Sequence, residues 1–256
     1  MADILQQLVA NARTLVRRGY YDVDEQRPRS PSLLHALKAH HEFPLIAEAK
    51  QASPSSKQKS QHSSKELIQA YVRGGAAALS VLTEPNGFRG GLGQLREASE
   101  SGLPVLMKDI VIEDRQLKAG ERCGASAILL IERAFPSPEA HRELDRLMGR
   151  AHDLGLEVLL EVADEAEMER ALEREAEMIG INQRDLRDLR MDLGKGVRML
   201  DMFSDTDVPL IVLSGISSRE QVIAVRDAGG AGVLIGTALS FSPDPEGALR
   251  ALEVPR

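Results

Sequence analysis

One cysteine, Cys123, occurs among 256 residues. A lone thiol rules out an intrachain disulfide and suits a reducing compartment. Aromatic residues make up 3% of the chain, and no basic block alternates with them. With a net charge of −7, a nucleic-acid partner is not expected. No apolar stretch approaches the roughly 20 residues that span a bilayer. The opening Met1–Gln7 has neither the basic nor the apolar region of a secretion signal. The expectation is a cytoplasmic protein without a membrane partner. HExxH and Cys-x-x-Cys spacings are missing, and no metal is expected. The stretch from Glu48 to Ser56 contains no glycine, so the Gly-rich dinucleotide fingerprint is absent and no cofactor is implied. Cys123 falls in a predicted helix, where packing is the simplest role.

What the chain has is repetition. Short apolar runs occupy 44–48, 78–83, 105–110, 127–131, 157–162, 178–183, 209–214 and 232–236. Most do not alternate with polar residues, as expected of parallel strands buried on both faces. Their starts lie roughly 20 to 35 residues apart, room for one crossover helix each. Ser63–Glu66 and Ser217–Glu220 have capping-box spacing at helix starts. Gly74-Gly75, Gly124, Gly155 and Gly229-Gly230 fall just past predicted helix ends. Eight strand–helix units predict an α/β fold, a (β/α)8 TIM barrel, rather than a doubly wound open sheet. Residues 1–43 form an N-terminal helical extension, with Leu5, Leu8, Val9, Ala12, Leu15 and Val16 at helical spacing and Leu33, Leu34 and Leu37 in a second short helix. It is either a cap under the barrel at 44–256 or a lid over it. No linker separates the two, and one domain is expected.

Barrel enzymes keep their chemistry at the C-terminal strand ends. Here those ends carry Glu48 and Lys50, Lys108, Glu161, Asn182 and Arg184, Ser214-Gly215, and Gly236-Thr237. Glu48 and Lys50 share a strand face, because side chains alternate with a period of two. Two lysines and two carboxylates meeting at one mouth would shift one another's acidity and permit acid and base roles. Asp109, of opposite parity to Lys108, is expected to pair in the barrel wall. Gly215 and Gly236, in the loops after the last two strands, suit backbone binding of a phosphate.

The blocks Ile46–Ser55 (IAEAKQASPS), Leu79–Glu84 (LSVLTE), Leu103–Asp109 (LPVLMKD), Ala127–Ile131 (AILLI), Leu156–Glu165 (LEVLLEVADE), Ile179–Leu186 (IGINQRDL), Ser214–Ile216 (SGI) and Leu234–Thr237 (LIGT) follow one another in a familiar order and spacing. From about Leu33 to Leu252 the chain resembles the indole-3-glycerol phosphate synthases. The resemblance implies a carbon–carbon lyase of tryptophan biosynthesis. It would close 1-(2-carboxyphenylamino)-1-deoxyribulose 5-phosphate to indole-3-glycerol phosphate, releasing carbon dioxide and water. Lys108 would then be the general acid at the ribulose carbonyl and Glu161 the acid/base partner in dehydration. Lys50 would hold the anthranilate carboxylate and serve as an acid in dehydration, and Glu48 would orient the lysines and the sugar hydroxyls. Asn182 and Arg184 would contact substrate. Ser53, Ser214, Gly215, Gly236 and Thr237 would surround its phosphate. The partner is thus a phosphorylated small molecule, with a monomer or homodimer expected.

Departures from the family pattern are Leu213, where an acid usually precedes Ser-Gly-Ile, Gln51 for a basic residue, Gln183 for an asparagine and Ile110 for an aromatic. Leu213 and Gln51 are expected to weaken the polar site. They keep open a non-catalytic or regulatory paralogue that still binds a phosphorylated ligand. Another phosphosugar lyase or isomerase is the further alternative.

Overall fold

The computed structural model describes residues 3–53, 56–174 and 176–256, with backbone alone at 52–59. The chain begins with helices α1 (Ile4–Arg17) and α2 (Leu33–Ala39). Strand β1 (Leu45–Ala49) follows, then a short antiparallel pair, β2 (Ala52–Ser53) and β3 (Ser56–Lys59). Helix α3 (Ser64–Arg73) leads to β4 (Ala78–Leu82), α4 (Leu92–Ser99) to β5 (Val105–Lys108), and α5 (Asp114–Arg122) to β6 (Ala127–Ile131). After a 3-10 turn at Glu132–Ala134 come α6 (Pro138–Asp153), β7 (Glu157–Val162), α7 (Glu165–Leu172) and β8 (Met178–Asn182). Helix α8 (Lys195–Met202), β9 (Leu210–Leu213), α9 (Arg219–Asp227), β10 (Gly232–Ile235), α10 (Thr237–Ser240) and α11 (Pro245–Arg250) complete the chain.

Strands β1 and β4 to β10 close a parallel barrel, sealed where Leu45 pairs with Val233 and Ile46 with Ala78. The predicted apolar runs all supply barrel strands, and most stop one or two residues short of the run. At Ser214 the cause is backbone geometry: its φ of 68° is left-handed and takes the chain out of the ladder. The strands are buried on both faces, which is why their sequences do not alternate.

The first capping box is formed by Ser63 and Glu66 as expected. The second lies one residue later than predicted, between Ser218 and Gln221, and Ser217, just outside the helix, also donates to the Gln221 side chain. Cys123 is not mid-helix; it is the buried residue that ends α5, with left-handed Gly124 after it.

The extension is both lid and cap. The Ile4 N–H donates to the Arg187 carbonyl in the β8–α8 loop at 3.1 Å, which holds α1 over the C-terminal mouth. The chain then descends beside α5. Tyr21 Oη donates to Asp109 Oδ2 at 3.0 Å, Arg27 N to the Arg122 carbonyl at 2.8 Å and Ser30 N to the Gly124 carbonyl at 2.9 Å. At the opposite end Glu157, the first residue of β7, accepts from Leu33 N at 2.7 Å and Leu34 N at 3.1 Å. A carboxylate at a helix N-terminus is favourable. Arg256 meets the other end of α2 through the carbonyls of Leu37, Lys38 and His40.

Candidate active site

A cavity of ≈ 420 Å³ opens at the C-terminal ends of the strands, under α1. Its lining includes Glu48, Lys50, Lys108, Glu161, Asn182, Arg184, Ser214, Gly215, Gly236 and Thr237. The expected strand-end set thus converges on one space. The Ser53 side chain lies outside what is described.

Glu48 is the hub. Its Oε1 lies 3.6 Å from Lys50 Nζ and its Oε2 3.5 Å from Lys108 Nζ, and 4% of the residue is exposed. The shared face predicted for Glu48 and Lys50 is what allows the first contact. Across the mouth, Asn182 Nδ2 donates to Glu161 Oε1 at 2.8 Å. The amide is oriented by its other end, since Asn182 Oδ1 accepts from Arg184 N at 2.9 Å. Lys195 Nζ, from the start of α8, donates to the Asn182 carbonyl at 3.1 Å and steadies the same strand end.

The four central charges are driven in different directions. Burial pushes the Glu48 carboxyl up, but Lys108 and then Lys50 outweigh it and hold Glu48 below the usual range. Burial lowers Lys50, with Lys108 and Arg184 adding to the effect, and Glu48 does not fully compensate. Burial also acts against the Lys108 ammonium, yet Glu48 and Glu161 together raise it above an ordinary lysine. Burial raises Glu161 despite Lys108 and the Asn182 amide. The outcome is a fixed anion at Glu48, a firmly charged Lys108, a Lys50 closer to giving up its proton and a Glu161 closer to holding one. Pairs pushed apart in this way are suited to acid–base work.

Leu8, Leu82, Ile110, Leu129, Ile131 and Leu213 supply apolar lining to the same cavity. Leu213 points into the cavity floor. A Cβ built on Gly180 would lie 2.7 Å from Leu213 Cδ1, so the glycine makes room for this leucine. Gln51, by contrast, fits its amide between the His62 carbonyl and the Ser64 N–H, at 3.2 and 3.1 Å. In that orientation it serves the loop and lies outside the cavity lining. Gln183 also faces structure: its Nε2 donates to the Ser214 carbonyl at 2.8 Å and its Oε1 accepts from Gly196 N at 3.2 Å. That bridge shapes the Ser214-Gly215 turn and went unrecognised in the sequence.

Gly215 has a φ of 79°, and a Cβ there would lie 2.5 Å from Leu193 Cδ2. Gly236 has ordinary φ, and its constraint is a neighbour: a Cβ would collide with the Glu48 carboxylate. A side chain at 236 would therefore disturb the charged hub as well as the loop.

The family model described as indole-3-glycerol phosphate synthase matches residues 4–252. The chain belongs to the indole-3-glycerol phosphate synthase family. A relative of that description from Bacillus cereus is 35% identical over 246 residues, covering 94% of each chain. One from Haloarcula marismortui is 37% identical over 241 residues, covering 93% of this chain and 86% of its own. Among solved structures, a 3-hexulose-6-phosphate synthase superposes with a TM-score of 0.64 at 13% identity, covering 82% of this chain and 97% of the other; that likeness is one of fold alone. Membership in the indole-3-glycerol phosphate synthase family extends over the extension as well as the barrel, and α1 and its contacts with the mouth lie inside the matched region. No described helix is long and apolar enough to cross a membrane.

Proposed function

We propose that the cavity under α1 carries out the ring closure of 1-(2-carboxyphenylamino)-1-deoxyribulose 5-phosphate to indole-3-glycerol phosphate, carbon dioxide and water. The observation that carries this reading is Glu48 lying between Lys50 and Lys108 in a cavity whose lining also includes apolar side chains. The apolar lining suits an aromatic ring, and the charges suit its carboxylate and the sugar oxygens.

Ring closure joins the carboxylate-bearing aromatic carbon to the ribulose carbonyl carbon. The carbonyl oxygen becomes an alkoxide and takes a proton from Lys108 Nζ. An alkoxide is far more basic than an amine, so a firmly protonated lysine still donates, and its charge stabilises the oxyanion before transfer. The carbon–carboxylate bond then breaks, and its electron pair restores the aromatic ring. Loss of the new hydroxyl as water needs a proton delivered to oxygen and one removed from the ring. Lys50, with its lowered pKa, is the donor, and Glu161 the base. Glu48 holds both lysines. Asn182 orients Glu161 and, with Arg184, contacts the substrate. Ser53, Ser214, Gly215, Gly236 and Thr237 take the phosphate. Residues 1–43 work with the barrel at 44–256 as one domain, because α1 completes the cavity wall. With every charged group of this scheme present, a non-catalytic role is disfavoured.

The chain contains no tryptophan, so formation of an indole is read by fluorescence against a low protein background. Incubation with the carboxyphenylamino-deoxyribulose phosphate should give catalytic turnover with matching carbon dioxide release. Saturable binding of that substrate without indole formation would overturn the reading.

A further inference from the structure

We propose that Ser240 is a positioning residue for the ring closure, acting through the backbone of Glu48 and Lys50; this rests on the reading of the site given above. The argument begins at the barrel seam. Strand β1 runs to Ala49, but its ladder with β10 ends where Ala47 pairs with Ile235. At Gly236 the neighbouring chain turns away into α10 and its phosphate-facing loop. Beyond Ala47, on that side, β1 has lost its strand partner just where it must present Glu48 and Lys50. An orphaned backbone group in a buried position is costly.

Ser240 takes the place of the missing strand. Its Oγ donates to the Glu48 carbonyl at 2.8 Å and accepts from Lys50 N at 3.2 Å. Tyr71 Oη lies 3.0 Å from the same oxygen and 3.3 Å from the Glu48 carbonyl, so its one proton serves the same strand end. A hydroxyl both donates and accepts, so Ser240 serves the carbonyl and the N–H of the strand end at once. Both Ser240 and Tyr71 are completely buried, and no water competes for these bonds. The Ser240 carbonyl in turn accepts from Ser60 Oγ at 2.8 Å, tying in the far end of the β1–α3 loop. One side chain thus reproduces both ladder bonds and fixes the origin of the two side chains that pair at the hub.

The consequence is geometric. Removing the hydroxyl leaves Lys50 N without its acceptor and frees the strand end to shift, while the phosphate loops keep their own contacts. A misplacement of about 1 Å at a catalytic group can cost on the order of 10²-fold in rate. Ser240→Ala should therefore lower kcat by about tenfold or more while KM stays within about threefold. Ser240→Thr, which keeps the hydroxyl, should retain most of kcat. The Lys50 amide should exchange its proton with solvent at least about tenfold faster in the alanine variant, read by NMR. Should Ser240→Ala fail to fold, Ser240→Cys keeps the shape with a weak donor and should show the same loss of kcat. Unchanged kcat in both variants, or unchanged exchange at Lys50, would overturn the proposal. Absent turnover in the unsubstituted protein would instead defeat the assigned reaction, and Lys50 exchange would still decide whether Ser240 holds the strand end.

Discussion

Lys108 and Leu213 test the site from opposite sides. Lys108→Ala removes the cation that faces both Glu48 and Glu161, and with it the proton donor to the forming alkoxide. General acids contribute about 10²–10⁴-fold, and kcat should fall into that range with substrate affinity largely kept. Turnover above about a third of the unsubstituted enzyme would remove Lys108 from the role. Leu213→Glu asks whether the leucine is an adaptation or a loss. Its side chain packs over Gly180, beside the strand end that carries Asn182. A carboxylate there would enter a buried cavity whose lysines already face Glu48 and Glu161. Burying an unpartnered charge costs several kcal/mol or forces it to stay protonated. Both kcat and the melting temperature should drop, and a rise in kcat would mark Leu213 as a decayed position. The parity of Glu48 and Lys50, and the polar ends of otherwise apolar runs, made most of this site legible in the sequence. Ser240, Gln183 and the crowding of Gly236 by Glu48 were not, because each depends on segments far apart in sequence meeting at the barrel seam or mouth. No periodicity carries that information.

The extension shows what element-level reasoning can and cannot extract. Helical spacing correctly marked both helices, since one apolar stripe must be buried whichever way the helix docks. Which end of the barrel each covers depends on hydrogen bonds to Arg187 and Glu157, for which the local sequence has no signal. Between them, Tyr21 and Thr83 donate to Asp109, which parity placed in the wall. Burial lifts the Asp109 carboxyl to about 6 from its ordinary value of 3.8, despite those bonds and the Ile110 N–H. A carboxyl raised in the folded state favours folding when protonated, and that advantage is lost as pH climbs from near 4 to near 6. Acidifying from pH 7 to pH 5 should therefore return about 1 kcal/mol through this residue, or about 2–4 °C in melting temperature. Asp109→Asn carries no such proton. Its melting temperature should fall more steeply than that of the unsubstituted protein over this interval, and parallel curves would show that Asp109 does not titrate there.

The whole molecule works within a pH window set by its buried charges. Glu161 must be ionised to act as a base, and burial raises its pKa above 4.5, so activity is lost as pH falls through that raised value. Lys50 must be protonated to act as an acid, and burial lowers it below 10.5, so activity is lost as pH rises through the lowered value. The bell in kcat/KM should be narrower on both sides than an ordinary glutamate and lysine would give, with apparent values that belong to the coupled set. Limbs at or beyond the ordinary values would contradict the roles assigned to both residues. The closed ring of strands also bears on how the chain is made. Strand β1 leaves the ribosome early and its seam partner β10 near the end, so during most of synthesis one edge of the growing sheet has no neighbour. Helix α1 waits as well, because its anchor at Arg187 has yet to be translated. Assembly of the mouth is thereby deferred until β10 docks, and a nascent chain arrested before Gly232 exposes the unpaired strand edge on which intermolecular association begins.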